Sequence, residues 1–270
     1  MKKNFIIHAA FLFLIISCNK SVDKKVENTE GSIIQTIFID PIADSMTTNY
    51  LYDDEDYLIK VSEVEFHSVD GIVSYPNDIE EYTRDEEKRV IKKTHLVDHD
   101  TLELMNVYYQ NADVIAYVID YVTRGTSKVT DSLTYEYSNG KVKRINTFPL
   151  QTITSEQPSY YETYEYAGAN ISQIRSFYLN NDRAYREGDR RDFEYDDKIN
   201  PFFKHDESFF NLPANNVIKE TITYGNPVPD PKGDITTEYT YGSDNKPISS
   251  ESTHAVPVVA FVTKTLYYYK

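Results

Sequence analysis

Only a few residues of this 270-residue chain are of a type and spacing that could do chemistry. His95-Leu-Val-Asp-His99 has the outline of a helical zinc motif, in which two histidines four apart converge on one metal. It lacks the glutamate such sites use, no motif supplies a third ligand, and on a strand the two rings would lie ~13 Å apart. The sequence therefore predicts two exposed histidines on a polar strand and no metal. Asp53-Asp-Glu-Asp56 clusters carboxylates suited to Ca²⁺, but without the glycine and distal glutamate of a calcium loop it reads as a solvated hairpin tip. No Gly-x-Ser-x-Gly and no phosphate-cradling glycine loop occurs. No catalytic residue and no cofactor is expected, although Ser, His and Asp scattered in sequence could still assemble in space.

Cys18 is the single cysteine and has no disulfide partner within the chain. It ends a segment with Lys2 and Lys3 at its start and an apolar run from Phe5 to Ile16, too short for the ~20 residues that span a bilayer. This is the pattern of a secretory signal. Ile15-Ile16-Ser17-Cys18 resembles the lipobox of bacterial lipoproteins, which implies that residues 1–17 are removed and Cys18 carries lipid. The other reading is an ordinary cleaved signal that contains a cysteine. Asn19 to Gly31 is polar and without apolar periodicity, so residues 18–32 form the lipidated cysteine and a flexible tether. Asn19 is not the aspartate that the same resemblance associates with inner-membrane retention, which favours the outer membrane and leaves its face open.

The formal net charge is −15, and removing Lys2 and Lys3 makes the mature chain more acidic still. Phosphate binding needs a basic stripe, and here Lys and Arg are dispersed among more numerous acids. Nucleic acid is excluded as a partner, and an anionic lipid surface would repel the protein. Attachment to membrane must come through the acyl chains.

The elements that would position any site are read from the tyrosines, 24 in all. An aromatic-x-Tyr motif followed by a polar turn recurs at Tyr50-Leu-Tyr52, Tyr135-Glu-Tyr137, Tyr164-Glu-Tyr166, Phe193-Glu-Tyr195 and Tyr239-Thr-Tyr241, with a weaker Val107-Tyr108. Tyr108, Tyr137, Tyr166, Tyr195 and Tyr224 are spaced 29 residues apart, the mark of a repeat architecture. Each unit reads as a β-hairpin. Leu133 to Tyr137 alternates apolar and polar residues, and Asn139-Gly140 supplies a tight turn. Gly168-Ala169-Asn170, Asp54-Glu55-Asp56 and Ser243-Asp244-Asn245 take the same place. On the return strands Val142, Ile145 and Phe148, like Ile171, Ile174 and Phe177, are three apart, which calls for a β-bulge. Asp78 to Lys93 is either a helical turn or a degenerate, polar copy of the repeat.

The expected fold is all-β: an antiparallel meander of hairpins with a period of about 29 residues, forming a large twisted sheet or an open sandwich or barrel-like domain over residues 33–270. Lys141, Lys143 and Arg144 among the apolar residues of a return strand argue against a membrane-spanning barrel. Tyr52, Tyr108, Tyr137, Tyr166, Tyr195 and Tyr241 are expected to be structural, filling one layer between units, with stacking of sugars as the other use of such rings.

Tyr-Leu-Tyr-Asp-Asp, Tyr-Glu-Tyr-Ser-Asn-Gly-Lys-Val, Phe193-Glu-Tyr-Asp-Asp-Lys-Ile-Asn-Pro-Phe202 and Asn215-Asn-Val-Ile resemble a family of Bacteroidota lipoproteins built from tyrosine-aspartate-type β repeats. The resemblance covers most of residues 50–270 and implies extended antiparallel structure in the cell envelope; that family carries no assigned activity. The function expected is that of a non-enzymatic envelope lipoprotein binding glycan or an envelope protein. The alternatives are a hydrolase of envelope or dietary polymers and a structural spacer.

Overall fold

The computed structural model describes residues 32–40, 45–66, 78–98, 100–111, 114–124, 127–149, 157–202, 212–225, 232–255 and 260–270. Cys18, the tether and His99 lie outside them. The described residues form sixteen strands: β1 (Ile33–Ile39), β2 (Ser45–Tyr52), β3 (Leu58–Phe66), β4 (Asp78–Arg84), β5 (Val90–Val97), β6 (Asp100–Asn111), β7 (Val114–Arg124), β8 (Ser127–Ser138), β9 (Lys141–Pro149), β10 (Tyr160–Ala167), β11 (Asn170–Leu179), β12 (Tyr185–Ile199), β13 (Asn215–Thr223), β14 (Lys232–Tyr241), β15 (Pro247–Ala255) and β16 (Ala260–Tyr269). Each pairs antiparallel with its chain neighbours, and β1 pairs with β16 to close the meander into a barrel. The hairpins expected from the sequence are therefore present, and closure removes both sheet edges. Asp78 to Lys93 is a hairpin, the polar copy of the repeat, not a helix.

The turns explain the pairing. Asn139 and Gly140 both take positive φ, 53° and 75°, the conformation a two-residue hairpin turn requires. At the β2–β3 tip Asp53 Oδ1 accepts from the N–H groups of Glu55 and Tyr57, both at 2.9 Å, so the acidic cluster is a turn device. Asp85 does the same between β4 and β5, accepting from Glu87 and Arg89 at 3.0 Å.

Next to these tips the register shifts by a bulge in hairpin after hairpin, and the pair at the shift is repeated around the barrel. The pairs are Tyr52 with Leu58, Arg84 with Val90, Tyr109 with Ile115, Tyr137 with Val142, Tyr166 with Ile171, Tyr195 with Val217, Tyr241 with Pro247, and Tyr269 with Ile33. Bulges are at home on barrel rims, where they tighten the local twist. Here each returns its pair to the same face as Tyr50, Val61, Tyr82, Val107, Val118 and Tyr267, which are all buried. In a closed barrel the buried face is the inner one.

The three-residue spacing of the return strands now has its reason. Val142 and Ile145 both face inward because the bulge lies between them, whereas Phe148 and Phe177 face outward with their partners Ser132 and Tyr161. Tyr108 is corrected by the same register: it faces outward, 43% exposed, and stacks on Tyr117 with ring centroids 4.5 Å apart. Tyr109 holds the repeat position instead. Tyr224 is also off the series, because the long β12–β13 connection moves the next equivalent tyrosine to Tyr241.

Candidate functional site: an ionisable lumen above a tyrosine ring

The inner face has two zones. Near the hairpin tips it is aromatic and apolar, and the inward tyrosines clasp one hairpin to the next. The Tyr166 hydroxyl donates to the Val142 carbonyl at 2.9 Å, Tyr195 to Ile171 at 2.6 Å, Tyr109 to Val90 at 3.0 Å and Tyr269 to Pro247 at 2.9 Å. The Tyr137 hydroxyl accepts from the Ile115 N–H at 2.9 Å. Arg84 stands where a tyrosine would, and its Nη2 donates to the Leu58 carbonyl at 2.9 Å. Tyr241 turns instead to Asn216, whose Nδ2 donates to its hydroxyl at 3.1 Å, and to the Asp196 carboxylate. Each clasp satisfies a polar atom on the bulge-bearing side of the preceding hairpin. Phe202, from the β12–β13 connection, packs on this zone with its ring centroid 5.6 Å from that of Tyr50. The start of β1 and the end of β16 meet here too, where the Lys270 N–H donates to the Ser32 carbonyl at 3.1 Å.

Beyond the aromatic zone the same inner register carries ionisable residues. Glu63 pairs with Asp78 across β3 and β4, Glu80 with His95 across β4 and β5, and His95 with Glu103 across β5 and β6. Asp120 opposes Asp131, and Glu162 and Glu220 lie on the far wall. Lys93 Nζ bridges Glu80 at 2.7 Å and Glu103 at 3.0 Å, and His95 Nε2 contacts Asp78 Oδ1 at 2.6 Å. On the opposite wall Glu162 accepts from the hydroxyls of Tyr160 and Tyr164, both at 2.5 Å. Arg191 lies 3.9 Å from Glu220.

Burial and like charge shape these groups. Burial, with the carboxylates of Asp78, Glu80 and Glu65 nearby, pushes the Glu63 carboxyl up to about 7. The hydrogen bond to Asp78 raises His95 against the opposing effect of burial. Burial works to lower Lys93, but the carboxylates of Glu80 and Glu103 outweigh it and the ammonium is held above its ordinary range. Burial also raises Glu220, partly offset by Arg191.

His95, expected from the sequence to be exposed, is instead a half-buried inward residue bound to Asp78, because the register of β5 turns it to the same face as Lys93. Among the described residues no group of three or more His, Cys, Asp and Glu could hold a metal ion. Of the repeat aromatics named from the sequence, Tyr52, Tyr137, Tyr166, Tyr195 and Tyr241 come together in the inward ring. Arg84, Tyr109 and Tyr269 complete it: Arg84 and Tyr109 lack the aromatic-x-Tyr spacing, whereas Tyr269, 28 residues beyond Tyr241, has it in Tyr267-Tyr268-Tyr269 without the polar turn. The ionisable zone was missed altogether; its only sequence signal is acid at every second residue, as in Glu63-Val-Glu65 and Asp78-Ile-Glu80.

The outer face is charged. Arg175 pairs with Glu187 at 2.7 Å, Lys264 with Glu251 at 3.0 Å, Lys60 with Glu81 at 3.3 Å and Lys219 with Glu194 at 3.6 Å. Arg175 and Glu251 sit at the middle of their strands. A lipid-facing surface carries an apolar band ~25 Å tall, and one basic residue at its centre costs about 2–4 kcal/mol. On this outer face charged pairs interrupt the apolar side chains on β3–β4, β11–β12, β12–β13 and β15–β16. Two aromatic groups also stand on it: Tyr108, Tyr117 and Tyr121 on β6 and β7, and Tyr161, Phe177 and Tyr185 on β10–β12, whose rings contact one another at 4.6 and 4.8 Å.

No family model matches the chain, and no curated protein matches it. Among solved structures, a porin-like protein from Bacteroides uniformis ATCC 8492 superposes with a TM-score of 0.55 at 10% identity, covering 88% of this chain and 96% of that one. A porin-like protein from Bacteroides vulgatus ATCC 8482 superposes with a TM-score of 0.42 at 9% identity, covering 89% and 99%. The likeness to the first is one of fold: a closed antiparallel barrel.

Proposed function

We propose that this chain is a non-enzymatic, lipid-anchored cell-envelope protein whose barrel stands in water beside the outer membrane and receives a ligand in its lumen. The observation that carries the reading is the outer face, where ion pairs stand at mid-strand positions that a membrane barrel fills with its apolar band. A porin-like fold supports an envelope setting, while the charged exterior favours an anchor over insertion. Sixteen strands enclose a space wider than side chains fill, and no strand packs extensively on any but its ladder neighbours. β1 begins at the tyrosine end, where Ile33 pairs with Tyr269, so a tether from Cys18 would hold that end toward the membrane and leave the ionisable end facing away.

Changing Cys18 to Ala, with a cleavable secretory leader in place, tests the anchor. The expected result is transfer from the membrane pellet to the soluble envelope fraction with the barrel intact. Continued need for detergent would sink the proposal.

A further inference from the structure

We infer that the outer face of β6–β8 binds a neutral glycan chain, laid along the strip of Tyr108, Tyr117 and Tyr121. This goes beyond the lumen reading and shares with it only the premise that the outer face meets water. The three rings are 43%, 39% and 44% exposed. Tyr108 and Tyr117 face each other across the β6–β7 ladder, and Tyr121 follows on the same side of β7, ~13 Å further along the strand. The hydroxyls of the inward tyrosines are engaged in clasps, as at Tyr166 and Tyr195. Among the described residues, those of Tyr108, Tyr117 and Tyr121 make no hydrogen bond to protein. The other outer aromatic group is satisfied within itself. The Arg144 guanidinium lies 3.7 Å from the Tyr161 ring centroid, Phe177 and Tyr185 pack on that ring, and the Tyr185 hydroxyl donates to the Pro158 carbonyl at 2.8 Å.

The chemistry around the strip selects its occupant. The residues paired with positions 117, 119 and 121 of β7 are Tyr108, Asn106 and Leu104 on β6 and Thr134, Ser132 and Thr130 on β8, and none is charged. A cation finds no carboxylate at these positions, and a polyanion is repelled by a chain of net charge −15. Acyl chains call for a lipid-facing row that is apolar throughout, whereas Asn106, Thr130, Ser132 and Thr134 present amide and hydroxyl groups. Three rings of ~200 Å², each about two-fifths exposed, offer about 250 Å², far below the ~800 Å² per partner of a stable protein interface. A sugar chain matches on both counts: its C–H faces stack on tyrosine rings, and its hydroxyls pair with the phenols, amide and hydroxyls beside them. With rings at both ends of a ~13 Å run, the strip fits several sugars in line, so the ligand class is a linear, uncharged polysaccharide.

The test is affinity electrophoresis of the purified full-length protein, in a sugar-free non-ionic detergent, through native gels cast with hydroxyethyl cellulose, galactomannan or soluble starch. Gels cast with alginate serve as the anionic comparison, and mobility is read against a plain gel. Retardation by at least one of the three neutral polysaccharides is expected. Tyr121→Ala should weaken it about fivefold or more, the scale on which tyrosine anchors act when truncated, and Tyr117→Ala should do the same. Glu251→Gln, on the outer face away from the strip, should leave it unchanged. Normal migration in all three neutral gels overturns the inference, as does retardation by alginate alone. Retardation that survives in both tyrosine variants also overturns it and moves sugar binding off the strip, leaving the lumen reading standing. Flotation of the Cys18→Ala protein with phosphatidylcholine vesicles, lost in Tyr121→Ala, would make the strip a membrane contact and contradict both this inference and the water-facing exterior. If Tyr117→Ala, which removes the ring stacked on Tyr108, fails to fold, Tyr121→Ala decides.

Discussion

The Tyr166 hydroxyl reaches back 24 residues to the Val142 carbonyl and joins one hairpin to the one before it through a 2.9 Å hydrogen bond. Tyr195 repeats the contact with Ile171 over the same separation. Backbone ladders hold adjacent strands; these clasps hold hairpin to hairpin at the rim where bulges interrupt the ladder.

Tyr166→Phe keeps the ring and removes the donor, leaving the Val142 carbonyl unpaired by the phenol. A loss of about 1 kcal/mol is expected. Tyr166→Ala also removes a half-buried ring and should cost about 2–3 kcal/mol, below the 3–5 typical of a fully buried aromatic. Urea unfolding of the two variants checks the order; equal midpoints for Phe, Ala and wild type would remove the clasp from the account.

Arg84 tests whether the ring position or the tyrosine matters. Its Nη2 donates to Leu58 O and its Nη1 to Lys88 O at 2.7 Å, and its guanidinium lies 5.1 Å from the Tyr57 ring centroid. Arg84→Ala should destabilise by about 1.5–3 kcal/mol, the range for hydrogen bonds from a charged group. Arg84→Tyr should recover a substantial part of that loss by making the repeat contact. A Tyr variant no better than Ala in thermal unfolding would show that the position is not equivalent.

Glu63 predicts the pH response. Its folded value near 7 lies above the ordinary 4.5, so between those pH values the folded state binds more protons than the unfolded one. Its contribution to stability is then present below about pH 4.5 and lost as pH rises through 7, by up to about 3 kcal/mol. His95, also raised, acts in the same direction at the upper end of that window. Asp53 acts oppositely: backbone donation from Tyr57 lowers its carboxyl, and that contribution is lost as pH falls. The difference between wild type and Glu63→Gln isolates the lumenal group. Glu63→Gln should gain stability relative to wild type on going from pH 5 to pH 8; a constant difference would mean that Glu63 titrates normally.

The hairpins were legible because their signals are local: Asn139-Gly140 fixes a turn and Leu133 to Tyr137 alternates beside it. Closure was not. It depends on Thr36 meeting Tyr267, residues at opposite ends of the domain, and nothing local distinguishes that pairing from two free edges. The face was equally hidden, since alternation says which residues share a side without saying which side is inside. Tyr135 and Tyr137 with Glu136 between them fit an apolar lumen or an apolar exterior equally well. The 29-residue count placed Tyr137, Tyr166 and Tyr195 on one ring because their hairpins have equal length. It failed at Tyr108 and Tyr224, where a bulge and a long connection change the count without changing the repeat.

The central claim is that this barrel's outer face meets water and not lipid, and site-specific labelling tests it most directly. The chain has no cysteine but Cys18, whose proposed acylation would block its thiol, so Thr236→Cys and Glu251→Cys introduce single reactive groups on the outer face of β14 and β15. In isolated, opened membranes carrying the protein, a membrane-impermeant maleimide should label both as fast as it does after detergent solubilisation. Protection of both positions until detergent is added would mean that lipid covers the outer face, and would contradict the account.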